Sequence, residues 1–226
     1  MNVIVFASRK GGTGKSTLAA HLAAHNQKAA RSCLLIDADP QGSLTLWHRL
    51  RKTGEPALRN GLHDFVETIE NARNDGFEWV FVDTPPLVST EVSEVISAAT
   101  LVVIPVRPSV FDLNAIMETI AVARLARTPF AVIFNAVSPK RLGIESSIMV
   151  QSRKRLADLE VPVWSGQVTQ RANLALALAE GAGVEDFNVD SRTAAEEIAG
   201  LWAAIENSVK AINGTHSGVV MHQRAA

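Results

Sequence analysis

Runs of consecutive apolar residues recur along this chain, and each is followed by a stretch in which apolar residues have helical spacing. Because the runs do not alternate between apolar and polar positions, they predict strands that are buried on both faces, as in a parallel sheet covered by helices. The predicted strands are residues 3–7, 33–36, 79–82, 101–106 and 130–134, with a shorter one at 161–164.

Helical spacing fills the intervals between these runs. The predicted helices are residues 16–25, 43–51, 61–72, 90–97, 112–126, 144–159, 172–180 and 193–212, with Asp112 as the N-cap of its helix. The repeated alternation predicts an α/β fold with a doubly wound, mostly parallel sheet flanked by helices. We expect one domain, residues 1–212, and a disordered tail, residues 213–226, where periodicity is lost.

A glycine-rich loop follows the first apolar run. Its residues are Lys10, Gly11, Gly12, Thr13, Gly14, Lys15, Ser16 and Thr17. Glycines allow successive backbone N–H groups to turn toward one anion, and the N-terminus of the next helix adds partial positive charge. Lys15 is placed to reach the β- and γ-phosphates of a nucleotide, and the Ser16 hydroxyl is placed to bind Mg²⁺. The strand–loop–helix context favours a phosphate-binding loop over a flexible turn.

Two positions in the loop depart from the general pattern. Arg9 stands where that pattern has a glycine, and Lys10 is a second lysine that an ordinary nucleotide loop does not need. In both respects the loop resembles that of the ParA/MinD family of ATPases. In that family the additional lysine crosses a dimer interface to the partner's phosphates, so that the ATP-bound form is a sandwich dimer.

The resemblance extends over residues 1 to about 212 and is similar in its later part to small ParA-type, ParF-like partition ATPases. It implies ATP and Mg²⁺ as cofactors and an enzyme that hydrolyses ATP to ADP and phosphate. It also implies a catalytic role for Lys10 and Lys15, and nucleotide contacts by residues 11–17.

Carboxylates follow two further strands, at the edge of a doubly wound sheet where ligands bind. Asp37 and Asp39, within the run Asp-Ala-Asp-Pro-Gln, follow the second strand, and Asp83 follows the third. An aspartate at the end of a buried strand is costly without a charged partner. Resemblance to the family's switch motifs implies that Asp39 positions the attacking water and that Asp37 and Asp83 serve the magnesium ion. For the first run, a polar turn with an N-cap is the alternative.

Asn135 follows the fifth apolar run. Its amide offers a donor and an acceptor that match the adenine edge, and the family resemblance implies a base contact at this strand end. The alternative is that Asn135 caps the turn that follows it.

Composition excludes several classes. A formal charge of −1 argues against a strongly basic nucleic-acid binder but leaves room for a basic patch. The single cysteine, Cys33, excludes the paired cysteines of nitrogenase-type iron proteins, and the absence of tyrosine excludes the bacterial tyrosine kinases.

His21 and His25 lie four residues apart but lack a third ligand. We therefore predict that these histidines lie at the surface or on a helix face and do not form a zinc site. Without a membrane span or secretion signal, we expect a cytoplasmic protein.

ParA-type proteins bind DNA without sequence preference as ATP dimers and release it when a partner protein stimulates hydrolysis. The resemblance therefore implies a nucleoid-associated homodimer that segregates or positions plasmid, chromosome or protein cargo with a separate ParB-like or cargo-adaptor protein. Candidate DNA contacts are Lys140, Arg141, Arg153, Lys154, Arg155 and Arg171. For the cluster at 153–155, a solvated helix face is the alternative.

Two other functions remain open on the same fold. A MinD-like membrane cycle needs a C-terminal amphipathic helix with cations on its polar face. The polar face of the last predicted helix is acidic at its start, which favours a packing helix and no membrane partner. An ATP-dependent metabolic ligase is the second alternative, and Lys10 together with the run at 37–41 favours the positioning ATPase over it.

Overall fold

A computed structural model describes residues 1–28, 32–61, 64–87, 89–140, 142–187 and 191–215. The strands are β1 Asn2–Phe6, β2 Cys33–Asp37, β3 Ala57–Asn60, β4 Trp79–Asp83, β5 Leu101–Val106 and β6 Phe130–Phe134. The helices are α1 Lys15–Lys28, α2 Ser43–Leu50, α3 Phe65–Asn74, α4 Thr90–Ser97, α5 Val110–Leu125, α6 Ser147–Asp158, α7 Ala172–Ala179 and α8 Arg192–Thr215, with a short 3₁₀ helix at Val184–Asp186.

The strands form one parallel sheet in the order β3-β2-β4-β1-β5-β6. This confirms the doubly wound α/β fold predicted from the sequence. Because the strands are parallel, their carboxyl ends meet at one edge, where ligands bind in such sheets. The register places Asp83, the last residue of β4, beside Phe6 of β1 and Asp37 of β2. The glycine loop leaves β1 at the same edge.

Both faces of the sheet are buried, which explains the continuous apolar runs. In β1, Ile4 and Phe6 point into a core formed with α1, α2, α7 and α8, whereas Val3 and Val5 point into a core formed with α3, α4, α5 and α6. Cys33 lies in the first of these cores as a free, buried thiol. Burial raises the pKa of this thiol to about 12.

The strand prediction is wrong at two places. The pattern does not predict β3, because its sequence Ala-Leu-Arg-Asn is short and half polar, as an edge strand with a partly exposed surface can be. The strand predicted at 161–164 is instead a single parallel bridge between Val132 and Val163. Pro162 has no N–H to extend the ladder, and its carbonyl accepts from the Val132 amide at 2.8 Å.

Helix α8 packs on the sheet through buried residues that include Ile198, Leu201 and Ile205. Its apolar face is therefore covered by the protein itself, which confirms the prediction of a packing helix. The helix continues through residues 213–215, which we predicted in the tail, and residues 216–226 lie outside the described part of the chain. Among the described helices, none combines the length and apolar character that a bilayer crossing requires.

Candidate functional site

Two glycines of the loop between β1 and α1 have backbone conformations that other residues rarely adopt, with φ of +73° at Gly12 and +96° at Gly14. The space beside Gly14 is closed as well, because a β-carbon there would lie 2.0 Å from Asn135 Nδ2. That amide is buried and donates to the Thr13 carbonyl at 2.7 Å. Asn135 therefore braces the loop, a role that the sequence does not predict.

Lys15 begins α1 and is buried at the carboxyl edge of the sheet. Burial lowers the pKa of its ammonium group, and the charges of Asp83 and Asp39 oppose this effect by favouring the charged form. Since a buried cation is costly unless it is compensated, an anionic ligand in the loop would stabilise the charged lysine further.

Ser16 and Asp83 meet beside Lys15. The Ser16 hydroxyl donates to Asp83 Oδ2 at 2.5 Å, and Asp83 Oδ1 is buried without a hydrogen-bond partner in the described part of the chain. Burial raises the pKa of Asp83 to about 7, against the opposing effects of the Ser16 hydrogen bond and the Lys15 charge. A cation bound beside Asp83 would stabilise the charged form of this carboxylate.

Asp37 supplies a second incompletely satisfied carboxylate one strand away. Its Oδ2 accepts hydrogen bonds from the amide and the hydroxyl of Thr45, both at 2.7 Å, whereas its Oδ1 is buried and makes no hydrogen bond with a described residue. Ser16, Asp37 and Asp83 thus offer oxygen atoms, the ligand type that Mg²⁺ prefers. The described residues hold no group of three or more His, Cys, Asp or Glu side chains that could bind a metal. Magnesium here would therefore need phosphate and water as further ligands.

Asp39 lies in the turn after β2 and faces the same cavity as Lys15. The cavity has a volume of about 620 Å³ and extends from the loop to the facing sides of α2 and α7. Asp39 Oδ1 accepts a hydrogen bond from the Gln41 amide at 3.0 Å, which fixes the carboxylate at the cavity wall. The structure therefore brings the loop and Asp39 around one cavity, and Asp83 adjoins it through the hydrogen bond from Ser16, which is one of the lining residues.

A second cavity, of about 310 Å³, adjoins the loop on the side of β5 and β6. Its lining includes Gly12, Thr17, Asn135, Thr169 and Arg171. The segment between α6 and α7 is held to α8, because the Glu197 carboxylate accepts from the Thr169 amide at 2.8 Å and pairs with Arg171 at 3.1 Å. Asn135, predicted at a base contact, lies on the wall of this cavity.

Lys10 is paired within its own chain, with Asp112 of α5. The Asp112 side chain is almost fully buried, whereas that of Lys10 is 42% exposed. The prediction that Asp112 is an N-cap is wrong, because Ser109 occupies that position and accepts from the Asp112 amide at 3.1 Å. The Ser109 hydroxyl also donates to the Asp112 carboxylate at 2.9 Å, so that Ser109 binds both the amide and the side chain of Asp112. The Ser-x-x-Asp spacing is the sequence pattern that could have located this acid.

Three of the predicted DNA-binding cations make contacts within the chain. Lys140 Nζ and Arg153 Nε each lie 3.5 Å from a carboxylate oxygen of Glu145, and Arg171 is paired with Glu197. Each of these cations is therefore already partly neutralised by an acid.

Lys154 and Arg155 differ from these three. Both are exposed on α6, and neither makes an ion pair with a residue in the described ranges. Arg141, the remaining candidate, lies outside the described residues.

His21 of α1 is buried and not at the surface. Its Nδ1 accepts a hydrogen bond from the Val184 amide at 3.2 Å, and its Nε2 lies 3.1 Å from the Leu174 carbonyl. Burial lowers the pKa of His21 to about 4. The neutral ring therefore ties the helix that follows the loop to α7 and to the 3₁₀ helix. His25, one turn later, contacts Glu185 instead of sharing a ligand with His21.

We expect His21 to make the fold acid-sensitive. The folded protein keeps the ring neutral down to about pH 4, whereas the unfolded chain takes up a proton near the ordinary histidine pKa of 6.5. The free energy of unfolding is therefore unaffected by the titration of His21 above pH 6.5, and it falls by about 3 kcal/mol in total as the pH is lowered toward 4. Urea unfolding of the wild type and of His21→Gln at a series of pH values measures it. The His25–Glu185 contact is present in both proteins and cancels in the difference. Parallel pH profiles would contradict a buried neutral His21.

The fold and the site together define a P-loop nucleotide-binding protein. The strand, the glycine loop, the lysine and serine that begin the next helix, and carboxylates at neighbouring strand ends occupy their places in that class. More narrowly, the chain belongs to the family described as the CobQ/CobB/MinD/ParA nucleotide binding domain, whose pattern matches residues 4–184. The family resemblance predicted from the loop is confirmed.

Individual relatives agree with this assignment. The maintenance of carboxysome distribution protein A of Gloeobacter kilaueensis is 32% identical over 213 residues, which cover 88% of this chain and 95% of that protein. Protein ParA of Rhizobium radiobacter is 35% identical over 163 residues, or 66% of this chain and 73% of that protein. The MinD cell division protein of Aquifex aeolicus has the same fold, with a TM-score of 0.72 at 20% identity over 92% of this chain and 98% of that one.

Proposed function

We propose that the chain is a ParA-type ATPase that forms a sandwich dimer with ATP and Mg²⁺, binds DNA without sequence preference and positions a cargo. The observation that carries the proposal is the placement of Lys10. The side chain of this second lysine is 42% exposed and pairs with Asp112, whereas Lys15 and Asp39 are among the residues that line the 620 Å³ cavity and Lys10 is not. A nucleotide bound by one subunit is served by Lys15, and Lys10 is left for a contact across an interface.

Under this proposal the residues of the loop and the three strand-end aspartates have separate roles in hydrolysis. Asp39 accepts a hydrogen bond from a water molecule and directs its oxygen at the γ-phosphorus, while the bond to the β-phosphate oxygen breaks. Lys15 and the loop N–H groups stabilise the negative charge of the phosphate oxygens. Ser16, Asp37 and Asp83 hold Mg²⁺, which offsets charge on the phosphates when it is bound.

Exposed apolar side chains that follow β4 and β5, at the edge of the sheet where the loop lies, support a second copy of the chain as a neighbour. Val110 and Phe111, which directly precede the Lys10 partner Asp112, are 60% and 82% exposed, and Leu87 after β4 is 46% exposed. Burial of apolar surface contributes roughly 25 cal/mol per Å², so a face of this kind favours association. A subunit placed over the loop would cover these residues and let Lys10 exchange Asp112 for phosphate.

Lys154 and Arg155 are the best-placed cations for DNA, because no acid in the described residues neutralises them. Dimerisation doubles the number of such contacts, and each contact adds affinity that falls with salt. The name of one relative refers to the distribution of carboxysomes, and another relative is named protein ParA. We infer a plasmid, chromosome or protein-shelled cargo, reached through a separate adaptor protein on the nucleoid.

Loading with a non-hydrolysable ATP analogue should double the mass of the protein in light scattering and retain it on a random-sequence DNA duplex. Lys10→Ala should keep analogue binding, remain a single chain and lose the DNA retention, because only the dimer presents both sets of cations. Raising the salt concentration from about 50 to 200 mM should lower the affinity of the wild type for DNA by a factor of about 10 or more.

The same assay separates the alternatives. Lys154→Ala with Arg155→Ala should weaken DNA retention while the dimer mass is kept, and Arg192→Ala with Lys210→Ala, two exposed cations of α8, serves as the charge-matched control. A wild type that remains a single chain with the analogue, or that is retained on anionic vesicles in place of DNA, would refute the proposal.

A further inference from the structure

Arg107 directly follows β5 and lies beside the glycine loop. The turn that contains it is closed by the Ser109 amide, which donates to the Arg107 carbonyl at 2.7 Å. A β-carbon placed on Gly12 would lie 3.6 Å from Arg107 Nη2, so the guanidinium group covers this glycine. Both residues line the 310 Å³ cavity that also contains Thr17 and Asn135.

The strand order puts Arg107 on the opposite flank of the loop from the magnesium ligands. Strand β1, which carries the loop, lies between β4 and β5. Asp83 ends β4, whereas Arg107 follows β5. A nucleotide that directs its terminal phosphates toward Ser16 and Asp83 therefore passes its inner phosphates and sugar along the side of the loop covered by Arg107.

The charges in this cavity favour an anion. Its lining contains Arg107 and Arg171 and no carboxylate. Arg171 is neutralised by Glu197 at 3.1 Å, whereas Arg107 makes no ion pair with any residue in the ranges that the structure describes. Arg107 is also exposed, so its guanidinium group is accessible to a ligand.

Two other cations near the loop are already paired with acids, unlike Arg107. Arg9 is paired with Glu118, and Lys10 is paired with the buried Asp112. On this flank of the loop, Arg107 is thus the cation that the described structure leaves available to a ligand of its own subunit.

We propose that Arg107 binds the α- or β-phosphate of the nucleotide in its own subunit, as a second cation beside Lys15. The inference rests on the proposed function, because it assumes that the loop binds ATP. Two parallel N–H groups of a guanidinium match the oxygens of a phosphate, and such charge-assisted pairs are among the strong hydrogen bonds in proteins. ATP and ADP share these inner phosphates, so Arg107 holds the substrate and the product equally.

Titration calorimetry with ADP and with a non-hydrolysable ATP analogue, each with Mg²⁺, tests this role in the full chain. In Arg107→Ala both dissociation constants should rise by the same factor, about 10 to 100, as expected for loss of a hydrogen bond to a charged group. Arg107→Lys keeps the positive charge but lacks the two parallel N–H groups of the guanidinium. Its dissociation constants should therefore lie between those of the wild type and those of Arg107→Ala. Arg73→Ala, at the end of α3 near the amino end of β4, should bind like the wild type.

The outcomes are distinct. Unchanged affinity of Arg107→Ala for both nucleotides would overturn the inference, and so would a loss confined to the ATP analogue, since that places the contact on the γ-phosphate or across a subunit interface. A wild type that binds neither nucleotide would overturn the proposed function itself. Because Arg107 is exposed, its variants should melt at the wild-type temperature without nucleotide, and Arg107→Lys carries the test should Arg107→Ala melt early.

Discussion

Gly14→Ala is expected to weaken the binding of both ATP and ADP by about 100-fold. The added methyl group would overlap the Asn135 amide, at 2.0 Å from Nδ2, in a backbone with φ of +96°. Alanine in this conformation costs about 1–2 kcal/mol. Displacing Asn135 leaves the Thr13 carbonyl without its donor, at a further cost of about 1–3 kcal/mol. Together these effects reduce the affinity by about 100-fold, which fluorescent-nucleotide titration measures directly.

Gly200→Ala is the matched control for this prediction. Gly200 lies within α8, and a β-carbon there would meet the Trp164 ring at 3.8 Å, an ordinary contact. Alanine has the higher helix propensity, so this variant should bind nucleotide normally and melt no earlier than the wild type. Tight ADP binding by Gly14→Ala would show that Asn135 can move aside and that the loop is not closed at this point.

Asp39→Ala is expected to lower ATP turnover by about 10²–10³-fold while ATP binding is retained, since a water-positioning carboxylate contributes in this range. The side chain lies on the cavity wall and is fixed by the Gln41 amide, but it is not one of the carboxylates that contact Ser16 or Thr45. Its removal should therefore leave the magnesium ligands in place. Phosphate release measures turnover, and light scattering with ATP should show an accumulated dimer.

Asp158→Ala, at the end of α6, is the control for the loss of a carboxylate. It should keep wild-type turnover. If Asp39→Ala instead lost ATP affinity in parallel with turnover, Asp39 would act in binding, and the roles of Asp37 and Asp39 would have to be exchanged.

The long elements of the fold follow from the sequence because their physical causes are local. An apolar run such as Leu101–Val106 can be satisfied only between two covered faces, and all six of its residues are buried. The edge strand Ala57–Asn60 could not be predicted, because its structure depends on pairing with β2 and not on its own composition. Tertiary pairing of this kind leaves no periodic trace in a four-residue segment.

The site shows the same division. The loop and its lysine follow from the spacing of Gly12, Gly14 and Lys15. The Lys10–Asp112 pair and the brace from Asn135 join residues that are distant along the chain. Such contacts depend on how the strands are ordered in the sheet, which the pattern of apolar residues does not specify.

The pairing of β2 with β4 has a mechanical consequence. Asp37 and Asp83 face each other in the ladder, so the spacing of these two acids is set by main-chain hydrogen bonds and not by flexible side chains. A slip of one residue would turn one acid toward the opposite side of the sheet, because neighbouring residues of a strand point in opposite directions. Correct alignment of two central strands during folding is thereby a condition for assembling the proposed magnesium site.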